Sequence, residues 1–160
     1  MHAARVIDSP IGEVGVEATD AGLCRVWLPG SAPLGFGPHQ GSPEAEAHLD
    51  RGVAQLEEFF AGERVRFDVT LDWSQASDGF AGEVQRALVD IPYGETYSYG
   101  ELADRLGRPR AARAVGTACS HNPLPLFGGC HRVIRANGGV GLYGGGEAQK
   151  RALLELEARG

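Results

Sequence analysis

The chain has 160 residues, room for one ordinary domain or two small ones, and its 42% hydrophobic and 22% charged residues are the proportions of a folded globular protein, which excludes a disordered one. No apolar run approaches the roughly 18 residues of a membrane span. Nor is there a charged-then-apolar leader, so no membrane partner is expected and the protein is expected in the cytoplasm. The net charge of -6 argues against a nucleic-acid partner only until its distribution is read: residues 1–104 hold 18 acids against six arginines, whereas residues 105–146 hold six arginines and no acid. Because salt screens fields beyond about 8 Å, a local basic face can bind phosphates on an acidic protein.

In chain order, residues 4–7, 13–18 and 23–28 alternate as short strands separated by Ser-Pro-Ile-Gly and Thr-Asp-Ala-Gly turn clusters, which predicts an antiparallel meander. A Gly/Pro-rich loop over 29–41 leads to Ser42-Pro43-Glu44, an N-cap, a first-turn proline and an early acid. Leu49, Val53, Leu56 and Phe60 then recur at helical spacing until Gly62. Residues 64–71 read as one more strand, and the polar stretch 74–79 reads as a domain boundary, giving an N-terminal α/β domain over 1–75 and a C-terminal domain over 76–160. Phe80, Val84, Ala87 and Leu88 describe a helix that stops at Ile91-Pro92-Tyr93-Gly94.

Ser98 with Glu101 three residues later is a capping-box spacing, and it opens a short helix over 99–106. After Gly107-Arg108-Pro109 a third helix, 111–120, is built almost wholly from small residues with Arg113 near its start. Two helices joined by a tight Gly/Pro turn resemble a helix-turn-helix, whose second helix lies on DNA, the alternative being an ordinary helical hairpin. Small residues such as Ala112 and Gly116 let a backbone approach a duplex closely, although they would equally let two helices pack. Arg110 and Arg135 are the arginines expected to meet phosphates. The fold class is therefore α+β: a small N-terminal antiparallel sheet with a helix, followed by a mainly helical C-terminal domain.

Cys24, Cys119 and Cys130 cannot all pair, and none sits in a two-residue-spaced pair of the kind that holds zinc, so neither a structural disulfide nor a metal is expected. Cys24 lies in a strand-like apolar run and Cys119 among small residues, where a thiol is an inert packing group. Cys130 differs. It follows Gly128-Gly129, enters a strand-like run, and is flanked by His131, Arg132 and Arg135 with no carboxylate nearby in sequence. Cationic neighbours enlarge the thiolate fraction, and the thiolate is the nucleophile. Consecutive residues of an extended segment point to opposite sides, so His131 would reach the thiol through a water and would need a carboxylate to orient it. Glu155 and Glu157 are the candidates, and spacing does not choose between them.

The segments Ala112-Arg113-Ala114-Val115-Gly116, Asn122-Pro123 and Cys130-His131-Arg132-Val133-Ile134 resemble, in order and spacing, the signature of the O6-alkylguanine-DNA alkyltransferase family. The likeness continues through 138–145 and 150–157, and Asp8-Ser9-Pro10-Ile11-Gly12 followed by Gly22-Leu23 is similar to the family's first strands. The resemblance implies a ribonuclease-H-like N-terminal domain, and a C-terminal domain that binds double-stranded DNA containing O6-alkylguanine. It implies that Cys130 takes the alkyl group irreversibly, once per molecule, with His131 and Glu157 promoting the thiolate and Asn122 holding the active-site segment. Tyr99 would stabilise or protonate the departing base and press on the phosphate, and Arg113 would fill the gap left by a flipped nucleotide. Val133, Tyr143 and Gly144 would line the substrate pocket. No cofactor is implied, and the protein is expected to act as a monomer.

Two positions depart from the family pattern. Gly129 stands where proline usually precedes the cysteine, and Gly144 where a hydroxyl residue is common. If Gly129 has φ near -65°, Gly129→Pro is expected to stabilise the protein by about 0.4–1 kcal/mol and to speed transfer; a positive φ would reverse both. Three other readings compete: a relative that recognises alkylated bases without chemistry, the same scaffold acting on a small molecule, and a cysteine hydrolase. Retention of Cys130 weighs against the first, and the basic stretch with Arg113 against the second. The lack of any assignable oxyanion-hole motif weighs against the third.

Overall fold

The computed structural model describes residues 2–141, 143 and 146–159. The chain divides into two compact units, Met1–Gln75 and Ala76–Gly160. The architecture is α+β, as the alternation and helical spacing predict.

In the first unit, β1 (Ala3–Ile7), β2 (Val14–Thr19) and β3 (Gly22–Trp27) form an antiparallel sheet in sequential order, with Val16 opposite Arg5 and Val26. Ala3, Val14, Val16, Ala18 and Leu23 are fully buried. Helix α1 (Pro43–Phe60) begins where Ser42 Oγ accepts from Ala45 N at 3.1 Å, with Pro43 in its first turn. It buries Ala45, Leu49, Leu56 and Phe59. Gly52 is on that face because a Cβ there would lie 2.7 Å from a Leu23 methyl, so glycine lets helix and strand approach.

The strand expected over 64–71 does not form. The segment touches β3 at a single parallel bridge, Leu23 to Leu71, where Leu23 N donates to Thr70 O at 2.9 Å and Asp72 N to Leu23 O at 2.7 Å. The backbone polar groups of Asp68 are satisfied by side chains of α1 instead: Gln55 Oε1 accepts from Asp68 N at 2.8 Å, and Arg51 Nε and Gln55 Nε2 donate to Asp68 O at 2.7 and 3.0 Å. A segment whose hydrogen bonds go to a helix has none left for a ladder.

In the second unit, α2 (Gly79–Ala87) runs into a 3₁₀ turn at Leu88–Asp90, and α3 (Tyr99–Arg105) and α4 (Ala112–Ser120) form the expected helical pair, of which α4 also packs on α2. Val84, Leu88, Ile91, Leu102, Ala103, Val115, Ala118, Cys130 and Val133 form the buried cluster. Gln85, fully buried, braces α2 to α4 by donating Nε2 to Ala118 O at 3.0 Å. Two further strands pair in parallel through Tyr97–Val133 and Ser98–Ile134: β4 (Tyr97–Ser98), unforeseen from sequence, and β5 (Val133–Ile134), which lies in the strand-like run after Cys130. A two-residue pair carries no readable alternation. It nevertheless fixes the start of α3 beside the cysteine segment, while helix α5 (Glu147–Arg159) closes the unit.

The entry to α3 is a full capping box: Ser98 Oγ accepts from Glu101 N at 3.0 Å, and Glu101 Oε1 accepts from Ser98 N at 2.8 Å. A seven-residue helix depends on such bonds more than a long one does. Ser98→Ala is expected to lower unfolding stability by about 1 kcal/mol. Urea titration checks this: the midpoint falls while the slope stays constant.

Candidate active site

The site is organised by Glu157 on α5, whose side chain is 2% exposed. Its Oε2 accepts from His131 Nε2 at 2.5 Å and from Arg132 Nη2 at 2.8 Å. Its Oε1 accepts from Arg132 Nε at 2.8 Å and from Gly94 N at 3.1 Å. Burial alone would raise this carboxyl, but the bonds from His131 and Arg132 outweigh it and hold its pKa down to about 2. An ionised carboxylate can only accept, so Nε2 of His131 carries the hydrogen and Nδ1 the lone pair. Burial, reinforced by Arg132 and Lys150, holds His131 below its ordinary value against the pull of Glu157, so the resting imidazole is neutral near pH 7.

Residues 130–132 form a 3₁₀ turn, which corrects the strand-like reading. Cys130 N donates to Gly128 O at 3.0 Å and Arg132 N to Gly129 O at 2.8 Å, curling the chain as it leaves the two glycines. Successive side chains are then about 120° apart and do not alternate. His131 and Arg132 both turn to Glu157, and Cys130 faces other groups. The cations adjacent in sequence therefore do not surround the thiol as expected. Burial pushes the Cys130 thiol up, opposed by the amide of Asn122, the ammonium of Lys150, a backbone N–H and the hydroxyl of Tyr143. Asn122 Nδ2 and Tyr143 Oη are both buried and, among the described residues, lack a hydrogen-bond partner of regular geometry, which leaves two donors to strengthen once the sulfur is charged. Asn122 also accepts from Leu124 N at 3.2 Å, anchoring the turn before the cysteine.

Lys150 is the site residue that sequence reading missed. It is fully buried, donates Nζ to Val133 O at 2.5 Å and to the hydroxyl of Tyr99 at 3.3 Å, and lies 5.5 Å from the centre of the Tyr99 ring. Lys150, Leu153 and Glu157 are the buried residues of α5, spaced by three and four positions. That spacing is the signal that could have found it: two ionisable residues on one face with a leucine.

Tyr99 joins the thiol cluster to a surface groove of about 530 Å³. The groove is lined by Tyr99, Ala112, Arg113, Gly116, Arg135 and Gly141, with Thr117 and Ser120. Gly141 is required there: its φ is 76°, and a Cβ would stand 2.6 Å from the Tyr99 hydroxyl. Arg113 and Arg135 are exposed, as is Arg110, which lies in the turn between α3 and α4 and does not line this groove. Val133 does not line it either; its side chain is fully buried in the core and its carbonyl meets Lys150. Glu155 is exposed. Gly144 lies outside the described residues. Cys24 and Cys119 are pushed up by burial, Cys24 to about 12, and neither lines the groove. Among the described residues no cluster of three metal-ligating side chains occurs, and no helix is long and apolar enough to cross a membrane.

Residues 3–73 match the family model described as 6-O-methylguanine DNA methyltransferase, ribonuclease-like domain, and residues 79–159 that described as 6-O-methylguanine DNA methyltransferase, DNA binding domain. A methylated-DNA–protein-cysteine methyltransferase of Mycobacterium tuberculosis is 46% identical over 153 residues, covering 96% of this chain and 90% of the relative. The constitutive enzyme of that name from Bacillus subtilis is 35% identical over 160 residues, covering 96% and 93%. The crystal structure of M. tuberculosis OGT in complex with DNA superposes with a TM-score of 0.85 at 44% identity, over 98% of this chain and 92% of that one.

Gly129 resolves differently from either expected alternative. Its φ of -81° is one that proline can adopt, but its N–H donates to Leu88 O at 2.8 Å. Proline would delete that bond and bring its ring against the same carbonyl. Gly129→Pro is therefore expected to destabilise the protein by about 1–3 kcal/mol, the cost of leaving a buried acceptor short of its donor. Thermal unfolding reads this as a lowered midpoint, and an unchanged or raised one would contradict it.

Proposed function

Because the chain belongs to the 6-O-methylguanine DNA methyltransferase family, we propose that Cys130 is the residue that accepts the alkyl group from O6 of guanine in duplex DNA. The reaction repairs DNA by direct reversal and uses each molecule once. The observation that carries the assignment to Cys130 is its enclosure by Asn122, Tyr143 and Lys150 next to the buried His131–Glu157 pair.

The chemistry follows from the donors present. A water relays the Cys130 proton to Nδ1 of His131, whose other nitrogen is held by Glu157, and the resulting imidazolium faces an anion already in place. As the sulfur becomes negative, Asn122 and Tyr143 turn into charge-assisted donors. The thiolate attacks the alkyl carbon in line. A carbon–sulfur bond forms as the carbon–oxygen bond breaks, and the electron pair leaves on guanine. Tyr99 receives the departing base: with its oxygen accepting from Lys150, the tyrosine hydrogen is left to be donated.

A base inside a duplex cannot reach a thiol that is 4% exposed, so the nucleotide must rotate out, at about a few kcal/mol of lost stacking and pairing. Ala112 and Gly116 let α4 approach the duplex, and exposed Arg113 can stack into the vacancy. Arg110 and Arg135 meet phosphates. Residues 76–160 supply both chemistry and DNA binding, and residues 1–75 the ribonuclease-like accompaniment. One copy of the chain provides every group named, so a cytoplasmic monomer without cofactor suffices. Recognition of alkylated bases without chemistry is the weaker reading, because it would leave Cys130 and its donors without a task.

Incubation with a duplex carrying O6-methylguanine is expected to raise the intact mass by one methyl group, located on Cys130 by peptide mapping. Cys130→Ala should bind the duplex and gain no mass; methyl on Cys119 or Cys24 would overturn the assignment. Arg113→Ala is expected to slow repair of duplex DNA at least tenfold more than reaction with free O6-benzylguanine, which needs no flipping. Equal losses in single-turnover rates on the two substrates would make Arg113 a structural residue.

A further inference from the structure

Arg132 has no part in the alkyl-transfer scheme just described. It is 6% exposed, follows the base in sequence, and gives its guanidinium hydrogen bonds to Glu157 and to the Ile91 carbonyl. Nε lies 2.8 and 3.0 Å from the two oxygens of Glu157, Nη2 lies 2.8 Å from Oε2, and Nη1 donates to Ile91 O at 2.6 Å. The guanidinium carbon lies 5.7 Å from the centre of the Tyr93 ring. Oε2 of Glu157 is thus shared between His131 and Arg132.

We propose that Arg132 is a positioning residue that sets the proton affinity of His131 by sharing the Glu157 carboxylate with it, and so fixes the lower pH limit of alkyl transfer. The inference rests on Cys130 and His131 acting as nucleophile and base. A histidine bonded to a buried carboxylate alone is drawn toward the imidazolium, because the pair is then neutral overall. A guanidinium on the same carboxylate has already neutralised it. His131 then sees Glu157 and Arg132 together as a dipole, with Lys150 of α5 as a further cation acting on the ring. Cys130 adjoins it in sequence, and Tyr93 and Tyr143 are the neighbouring hydroxyls that sense the Glu157 charge.

The reactive state, thiolate with imidazolium, has the same proton count as thiol with neutral imidazole. Adding one more proton gives thiol with imidazolium, which has no base left. The pH at which that proton adds is the acid limb of the rate profile. With Arg132 present the added proton is disfavoured and the limb lies low. Without it, Glu157 returns its full charge to His131, the proton adds at higher pH, and the limb moves up.

The test is the single-turnover rate with free O6-benzylguanine from pH 5 to 9, a substrate that removes DNA binding from the measurement. The His131 imidazole is titrated in parallel by NMR on the same samples, its resonance assigned with His131→Gln. Arg132→Met is expected to raise both the acid limb and the His131 titration midpoint by about one pH unit, a tenfold change in proton affinity. Arg132→Lys, which restores a cation, should bring both most of the way back. Should Arg132→Met fail to fold, Arg132→Gln, neutral but still a donor, carries the same expectation. A rate that falls equally at every pH with the His131 midpoint unmoved would overturn the proposal and make Arg132 a strut. Failure of the underlying assignment reads differently: the wild-type protein would then gain no benzyl mass on Cys130.

Discussion

The carboxylate of Glu157 is the point on which the C-terminal unit turns. It accepts from His131 and Arg132 beside the cysteine and from the backbone N–H of Gly94, so one side chain of α5 holds both the 3₁₀ turn and the tight turn after α2. Arg132 closes the loop by bonding Ile91 O. Burying three ionisable groups is costly unless each is paired and its remaining hydrogen-bonding capacity is met. Here the carboxylate's lone pairs are all engaged, and Arg132 spends its other arm on a carbonyl. The network adds little net stability over an apolar core of the same volume. It does fix geometry, since removing either Glu157 or Arg132 would leave the other as a buried charge without its counter-ion.

A second constraint fixes Tyr99. The residue opens α3 under the Ser98–Glu101 box, follows directly on β4, and β4 pairs with β5 directly after the cysteine turn. Gly116 of α4 lies on one part of its ring, with space for a Cβ 3.8 Å away, whereas a Cβ at Gly141 would clash with its hydroxyl. Lys150 holds the oxygen and the Val133 carbonyl together. Tyrosine and cysteine are thus tied to one another by backbone pairing and by a shared ammonium, while the small residues of α4 leave the tyrosine facing a groove. This gives the glycine and alanines of α4 a purpose that helix packing alone does not exhaust.

Much of this was legible in the chain. Alternation marked the three N-terminal strands to within a residue, and Ser42-Pro43 and Ser98/Glu101 marked two helix starts because capping is a local interaction with a local signature. Residues 64–71 misled for the opposite reason: their pattern suits a strand, but Gln55 and Arg51 of α1 capture the backbone of Asp68, and no local pattern announces that. Cys130 stood out by its neighbours, yet their physical role was misread. Proximity in sequence suggested that Arg132 would act on the thiol, whereas a 3₁₀ turn aims it at a carboxylate 25 residues on. Gly129 shows the same limit: its φ could be guessed, but its bond to Leu88 is tertiary.

The state of the thiol follows from these constraints. A catalytic cysteine that turns over many times benefits from a standing thiolate, at the risk of oxidation whenever an oxidant arrives. Cys130 is 4% exposed, and burial keeps its thiol protonated at rest. The groups that would favour the anion are neutral donors, Asn122 and Tyr143, and an ammonium that is already bonded to Val133 and Tyr99. Their effect grows only when charge appears on sulfur, which happens when a base removes the proton and a carbon lies ready to receive the pair. For a protein consumed by a single transfer, an acceptor lost to oxidation is a molecule lost. On the proposed role of Cys130, a buried thiol surrounded by donors that act late would protect the one equivalent it has and still lower the barrier when the alkylated base arrives.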